Sequence, residues 1–300
     1  MSLMPIKTTE TDAVPANWEH SRTFMQDAFR RLIRNKVAII SATYILAMIL
    51  IALLAPVVAP YSYGHQNLAR AFEGPSAEFL FGTDRLGRCI LSRVIWGSRV
   101  SLGVGFGVTF ITVVIGVIMG LVSGYFGGWV DSVTMRLTDI TFAFPGLLFA
   151  ILIMALLGPG LLNVFIALSI TGWASLARLV RSQVLSIRET EFVEAARAIG
   201  AKNSSILTRH VLANITGPII VSSTMTAGTF ILGEASLSFL GVGVKPPFPS
   251  WGSMISGATD VFLSHPYMLF FPSLALAGLI LSFNFLGDSL RDALDPKLKA

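Results

Sequence analysis

The chain has 300 residues, of which 53% are hydrophobic and only 13% charged, and its mean hydropathy is +0.71. Soluble domains carry about a quarter charged residues, so a water-covered surface is excluded, and soluble enzymes, nucleic-acid-binding modules and disordered chains go with it. The net charge of +5 then bears on which loops stay inside the cell, and a single cysteine, Cys89, excludes a disulfide scaffold and a multi-thiolate metal site.

Residues 1–36 read as a cytoplasmic segment with an amphipathic helix. The first span is 37–59, a stretch without Asp, Glu, Lys or Arg, where about 20 apolar residues suffice to cross the hydrocarbon. The loop 60–99 places Leu86, Ile90, Leu91, Val94 and Ile95 on one helical face. That face predicts a helix lying on the outer membrane boundary, either as an anchor or, with Asp84, Arg88 and Arg93, as a gate or receptor contact.

The segment 100–300 holds the other charge-free runs, at 100–130, 140–177, 211–233 and 261–287. As one helix, 140–177 would reach about 57 Å against roughly 30 Å of hydrocarbon, so it must turn back, and Gly158-Pro159-Gly160 is the breaker. The fold class expected is all-α and polytopic, with six transmembrane helices. Of the 22 Lys and Arg residues, 16 lie on the inside if the N-terminus is cytoplasmic, which puts both termini, including the tail 288–300, in the cytoplasm.

The inner loop 178–212 contains a short helix at 191–200. Phe192, Ala196 and Ile199 recur at i, i+4 and i+7, Glu191 and Glu194 suit its start, and Gly200 suits a left-handed end. Asn203 is placed to cap a second helix. Such a helix lies on lipid headgroups or docks in a protein groove. Small Ala195 and Ala196, with Glu194 beside Arg197, favour the groove.

Within the spans, Gly116, Gly120 and Gly124 predict a close-packing stripe. Asp139 is expected to pair with Arg136 at a boundary. Glu234 follows Ser222, Ser223, Thr224, Thr226 and Thr229. Two readings stay open: Ser222, Thr226 and Glu234 line a path for cargo, or the hydroxyls bond carbonyls of their own helix. The sequence has no Gly-x-x-x-x-Gly-Lys-[Ser/Thr] phosphate loop, and its four histidines are scattered, so this chain is not expected to be an enzyme or to bind a metal or cofactor itself. A secondary transporter needs coupling-ion sites and internal repeats; only Asp139 and Glu234 offer themselves, and no repeat is evident. A channel is the other rival.

Further motifs occur in order: Phe81-Gly82-Thr83-Asp84 with Gly87-Arg88 and Ser92-Arg93, Gly124-Tyr125-Phe126-Gly127-Gly128-Trp129 with Asp131, and Glu194-Ala195-Ala196 with Gly200. Ser238-Phe239-Leu240-Gly241 with Trp251-Gly252 and Leu290-Arg291-Asp292-Ala293-Leu294-Asp295-Pro296 follow. In these the chain resembles the inner-membrane permease subunits of ATP-binding-cassette importers, in the dipeptide/oligopeptide/nickel branch. Cys89 departs from the branch's usual Asp, and Ala213 from its usual Pro. The resemblance implies a type I importer permease fold in a bacterial inner membrane. Its implied partners are a second homologous permease, two ABC ATPase subunits that bind ATP and Mg, and a periplasmic or lipid-anchored substrate-binding protein. Short peptides are the implied cargo, with nickel or glutathione as alternatives. The ATPase would dock on Glu191, Glu194, Ala195, Ala196, Arg197 and Gly200.

Overall fold

The computed structural model describes residues 24–295; the rest of the inner segment, 1–23, and of the tail, 296–300, lies outside the described residues. Among those described, the elements are helices and loops with one isolated β-bridge, Thr83 to Cys89. In order they are α1 (Phe24–Arg34), α2 (Lys36–Leu53), α3 (Ala55–Val58), α4 (Ile90–Phe126), α5 (Gly128–Phe142), α6 (Gly146–Leu157), α7 (Leu161–Ile187), α8 (Glu191–Ala198), α9 (Asn203–Ser205), α10 (Ala213–Phe239), α11 (Trp251–Ala258) and α12 (Tyr267–Leu294). A π-helical turn, Ile206–Leu212, joins α9 to α10.

Five helical stretches are long and apolar enough to cross a membrane: α2, α4, α7, the continuous stretch Asn203–Phe239 and α12. The pair α5 and α6, bent by 87°, supplies the sixth. The charge-free run at 140 therefore starts inside α5, and the stretch before Gly158 is itself broken at 143–145, where Pro145 is the N-cap of α6. Pro145 lacks a donor and disfavours a helical residue before it. The expected turn between spans three and four is present: Gly158, at φ +81°, ends α6, and Gly160 precedes α7.

Helix α4 is the spine. Its 37 residues reach about 55 Å, and its glycine stripe lies against α7. A Cβ on Gly116, Gly120 or Gly124 would stand within 2.9 Å of α7 atoms, including Leu176, Ala177 and Val184. Three apolar clusters follow the spine. At its start Ile90, Val94 and Leu102 pack with Trp251, Met268 and Ile45. Midway, Val104 and Val108 meet Met154, Val164 and Ala167. At its end Leu121 and Tyr125 join Val180, Val184, Val193, Ala196 and Ile206.

The helix expected to lie on the outer boundary is not a separate element. Residues 84–88 form a turn in which Gly87 has φ +66° and the Asn67 carbonyl oxygen lies 1.7 Å from where a Cβ would sit. Only after this turn does α4 begin, at Ile90. Val94 and Ile95 are buried, and the Trp251 indole donates to the Val94 carbonyl at 3.0 Å. Cys89 is buried in the same place.

Candidate functional site

Helix α8 is short and stands on a firm base. Thr190 precedes it, and its carbonyl accepts from Val193 and Glu194 at 3.0 and 3.1 Å. At the other end Gly200 takes φ +80°. The Gly200 amide donates to Arg197 and the Ala201 amide to Ala196, at 2.9 and 3.0 Å, the paired bonds of a left-handed helix stop. Gly200 therefore ends the helix as its sequence position predicts.

The orientation of α8 differs from the periodicity reading. Val193 and Ala196 point inward and are buried with Ile206, Val211 and Ile215. Phe192 and Ile199 are exposed by 44% and 85%, and Glu191, Glu194, Ala195 and Arg197 are exposed around them. Ala196 thus belongs to the chain's own core and not to the presented surface, while Ala195 lies between Phe192 and Ile199 on the open side.

Contacts that the sequence reading missed hold α8 to the spine. The Tyr125 hydroxyl donates to Asn203 Oδ1 at 2.9 Å, and the Arg197 guanidinium lies 5.2 Å from the Tyr125 ring centroid. Asn203 is consequently not a cap; Lys202 occupies that position, and the Asn203 side chain faces Tyr125 instead. Arg188 donates to the Gly124 carbonyl at 3.1 Å. Nearby, Arg181 forks onto both oxygens of Asp131, which also accepts from Ser123. The signal for these residues in the sequence is the Gly124-Tyr125-Phe126-Gly127-Gly128-Trp129 run with Asp131.

Asp139 pairs with Arg178, not with Arg136. Arg178 also donates to Thr138 at 3.1 Å and sits 4.3 Å from the Phe142 ring centroid, so three groups of α5 hold it where a local i, i+3 pair offers one.

The candidate path residues divide. Glu234 is fully buried: Ser250 and Ser238 donate to its Oε1 at 2.6 and 2.7 Å, and Ser101 to its Oε2 at 3.5 Å. It fastens α10 to α11 and α4 and does not line an open surface, which corrects the path expectation for this residue. Ser222 and Thr226 are half-buried, and the Thr226 hydroxyl donates to the Ser222 carbonyl at 2.6 Å. Ser223 and Thr224 likewise donate to carbonyls four residues back. Residues 222, 226, 229, 233 and 236 share one helical face, so Thr229 and Ser236 extend the Ser222 and Thr226 stripe.

At the far end of α4, Asp84 organises the loop. Its Oδ1 accepts from the Leu86 and Arg88 amides at 2.9 and 3.0 Å, and its Oδ2 from Arg88 Nε at 2.7 Å. Arg93 is 7% exposed and reaches Asp84 only at 3.7 Å. Upstream, Arg70 binds Glu73 through two bonds of 2.7 and 2.8 Å, and binds Glu78 as well.

The described residues thus form a bundle of helices long and apolar enough to span a membrane, with the short helix α8 exposed beside the last turn of the spine. Residues 112–300 match the family described as binding-protein-dependent transport system inner membrane component, and residues 23–75 match the N-terminal TM domain of oligopeptide transport permease C. The chain belongs to this family of ABC importer permeases, multi-pass proteins of the inner membrane. It is 43% identical over 297 residues to the dipeptide transport system permease protein DppC of Alkalihalophilus pseudofirmus, covering 99% of this chain and 98% of that one. It is 44% identical over 282 residues to the glutathione transport system permease protein GsiD of Escherichia coli O1:K1, covering 93% and 92%. An inward-facing structure of the MetNI methionine ABC transporter has the same fold, with a TM-score of 0.56 at 20% identity over 67% of this chain and 96% of that one.

Proposed function

We propose that the chain forms half of the membrane path of an ATP-driven importer of short peptides. A second, homologous permease supplies the other half. Two ABC ATPase subunits, which carry the ATP and Mg, dock on the cytoplasmic side, and a periplasmic or lipid-anchored binding protein delivers cargo to the other. The observation that carries this reading is the exposed face of α8. Phe192, Ala195 and Ile199 form a small apolar patch with Glu191 and Glu194 beside it. Anchored by Tyr125 and Arg188, that patch moves as one piece with α4 and transmits closure of the ATPases into the spans.

The half-buried stripe of Ser222 and Thr226 supports a path-lining role along α10. The Thr226 hydroxyl, bonded to its own helix, still offers an oxygen lone pair to a passing ammonium or amide group. Asp84, Arg88 and Arg93 form the platform that meets the binding protein. Peptide cargo rests on the dipeptide relatives. Glutathione is the second reading, favoured by the GsiD relative. The test is the reconstituted complex with its binding protein: a dipeptide that stimulates ATP hydrolysis while glutathione does not supports the first reading, and the reverse supports the second.

A further inference from the structure

A cavity of about 50 Å³ opens beside the first turn of α4, lined in part by Asp84, Arg85, Arg88, Arg93, Ser253 and Gly257. Its charges do not balance. Asp84 is the single carboxylate among these residues, and both its oxygens are taken by the Leu86 and Arg88 donors. Arg93, with five N–H donors and only 7% exposure, makes one hydrogen bond, a long one of 3.4 Å to the Tyr63 carbonyl, and shares Asp84 with Arg88 through a looser ion pair of 3.7 Å. Arg85 is exposed, and no carboxylate pairs with it among the described residues. A buried guanidinium short of acceptors is costly until an acceptor arrives.

The fold adds to the same sign. Ile90, the first residue of the 37-residue α4, lines the cavity, and Cys89 before it provides no side-chain cap. The positive end of a long helix thus borders a site already rich in arginine, with the Ile90 amide itself held by the Gly82 carbonyl at 3.0 Å. Gly257 of α11 also lines the cavity, and no atom lies within 4 Å of where its Cβ would stand. A space of about 50 Å³ admits a group as small as a carboxylate, and guanidinium groups suit such a planar anion.

We propose that this cavity is a binding site for a carboxylate. The inference rests on the importer reading, because import brings two carboxylates to this face: the terminal carboxylate of a peptide, and an acidic side chain of the binding protein. Arg93 and Arg85 supply the new bonds, while Arg88 stays with Asp84 and fixes the wall.

The test uses the full complex in nanodiscs with two arms. In the first, N-acetyl-alanyl-alanine and its C-terminal amide are titrated without binding protein. In the second, docking of peptide-free binding protein is measured. Each arm compares the wild type with Arg85→Gln, which removes a donor, and Gly257→Leu, which fills the space without touching charge. Loss of a charge-assisted pair is expected to weaken binding about tenfold, equivalent to ~1.4 kcal/mol. Preference for the acid over the amide, lost in both variants, assigns the site to the cargo. Weakened docking in both variants, with the first arm unchanged, assigns it to the binding protein. If neither variant alters either arm, the proposal is overturned. Failure of the importer reading is distinct, since it appears as absent peptide-stimulated ATP hydrolysis in the wild type.

Discussion

The Tyr125 hydroxyl and the Asn203 side-chain oxygen meet at 2.9 Å across 78 residues of sequence, joining the last turn of α4 to the segment just beyond α8. Tyr125→Phe keeps the ring under Arg197 and removes only this bond, so stability should fall by about 0.5–1.5 kcal/mol. Asn203→Ala should have a similar effect, and the double variant should be no worse than the sum less one shared bond. Simple additivity in thermal melts of the purified complex would show that the two residues do not act together.

Glu234 accepts three hydroxyls inside the protein. Glu234→Ala leaves those hydroxyls without their acceptor, and a loss of roughly 1–3 kcal/mol is expected for unsatisfied buried groups. The variant should give less folded permease, with no change in preference among acidic, neutral and basic peptides in whatever remains. A reversed charge preference at normal yield would return Glu234 to the path.

The glycine stripe has an internal control. A Cβ on Gly120 would sit 2.6 Å from the Ala177 carbonyl and 2.7 Å from Val180 Cβ, whereas nothing lies within 4 Å of one on Gly103. Gly120→Ala should therefore separate α4 from α7 at a cost of about 1–3 kcal/mol, while Gly103→Ala should melt like the wild type. Equal melting temperatures for the two variants would contradict the packing described.

The Arg70 guanidinium, hydrogen-bonded to Glu73, holds that carboxyl below the ordinary glutamate value. A lowered pKa gives stability that is complete above the unfolded value, about 4.3 for Glu, and disappears as pH falls through the folded one. Protease sensitivity of the 60–89 loop should be flat above about pH 5 and rise in acid below the ordinary glutamate pKa. Glu73→Gln should remove that acid step. A step near neutral pH would point to a different group.

Features set by neighbours in the chain were legible in the sequence. Gly200 after an amphipathic run with early glutamates, the Gly158-Pro159-Gly160 break and the glycine stripe each announce their geometry locally. The inward face of α8 does not. Ala195 and Ala196 are alike in sequence, and the choice between them is made by Ile206, Val211 and Ile215 on the segment that follows. Asp139 pairs with Arg178 and not with the local Arg136 for the same reason, since Arg178 arrives from the next spanning helix. Two further signals are local. Pro145 marks the 87° bend, and Ser250 with Ser253 forms the capping box that starts α11, the helix that buries Trp251 and holds Glu234.

The central claim is that the outward face of α8 couples the permease to its ATPases. Ala195→Trp and Glu194→Lys change that face, the first by overpacking a docking groove, at about 1–3 kcal/mol, and the second by reversing a charge. Ala196→Trp overpacks the chain's own core instead. The measurement is co-purification of the ATPase subunits with each variant, together with peptide-stimulated ATP hydrolysis. Ala195→Trp and Glu194→Lys should leave a normally melting permease pair that no longer retains the ATPase, while Ala196→Trp should lower the melting temperature of the pair itself. Full ATPase retention and full stimulated hydrolysis in both Ala195→Trp and Glu194→Lys would contradict the account.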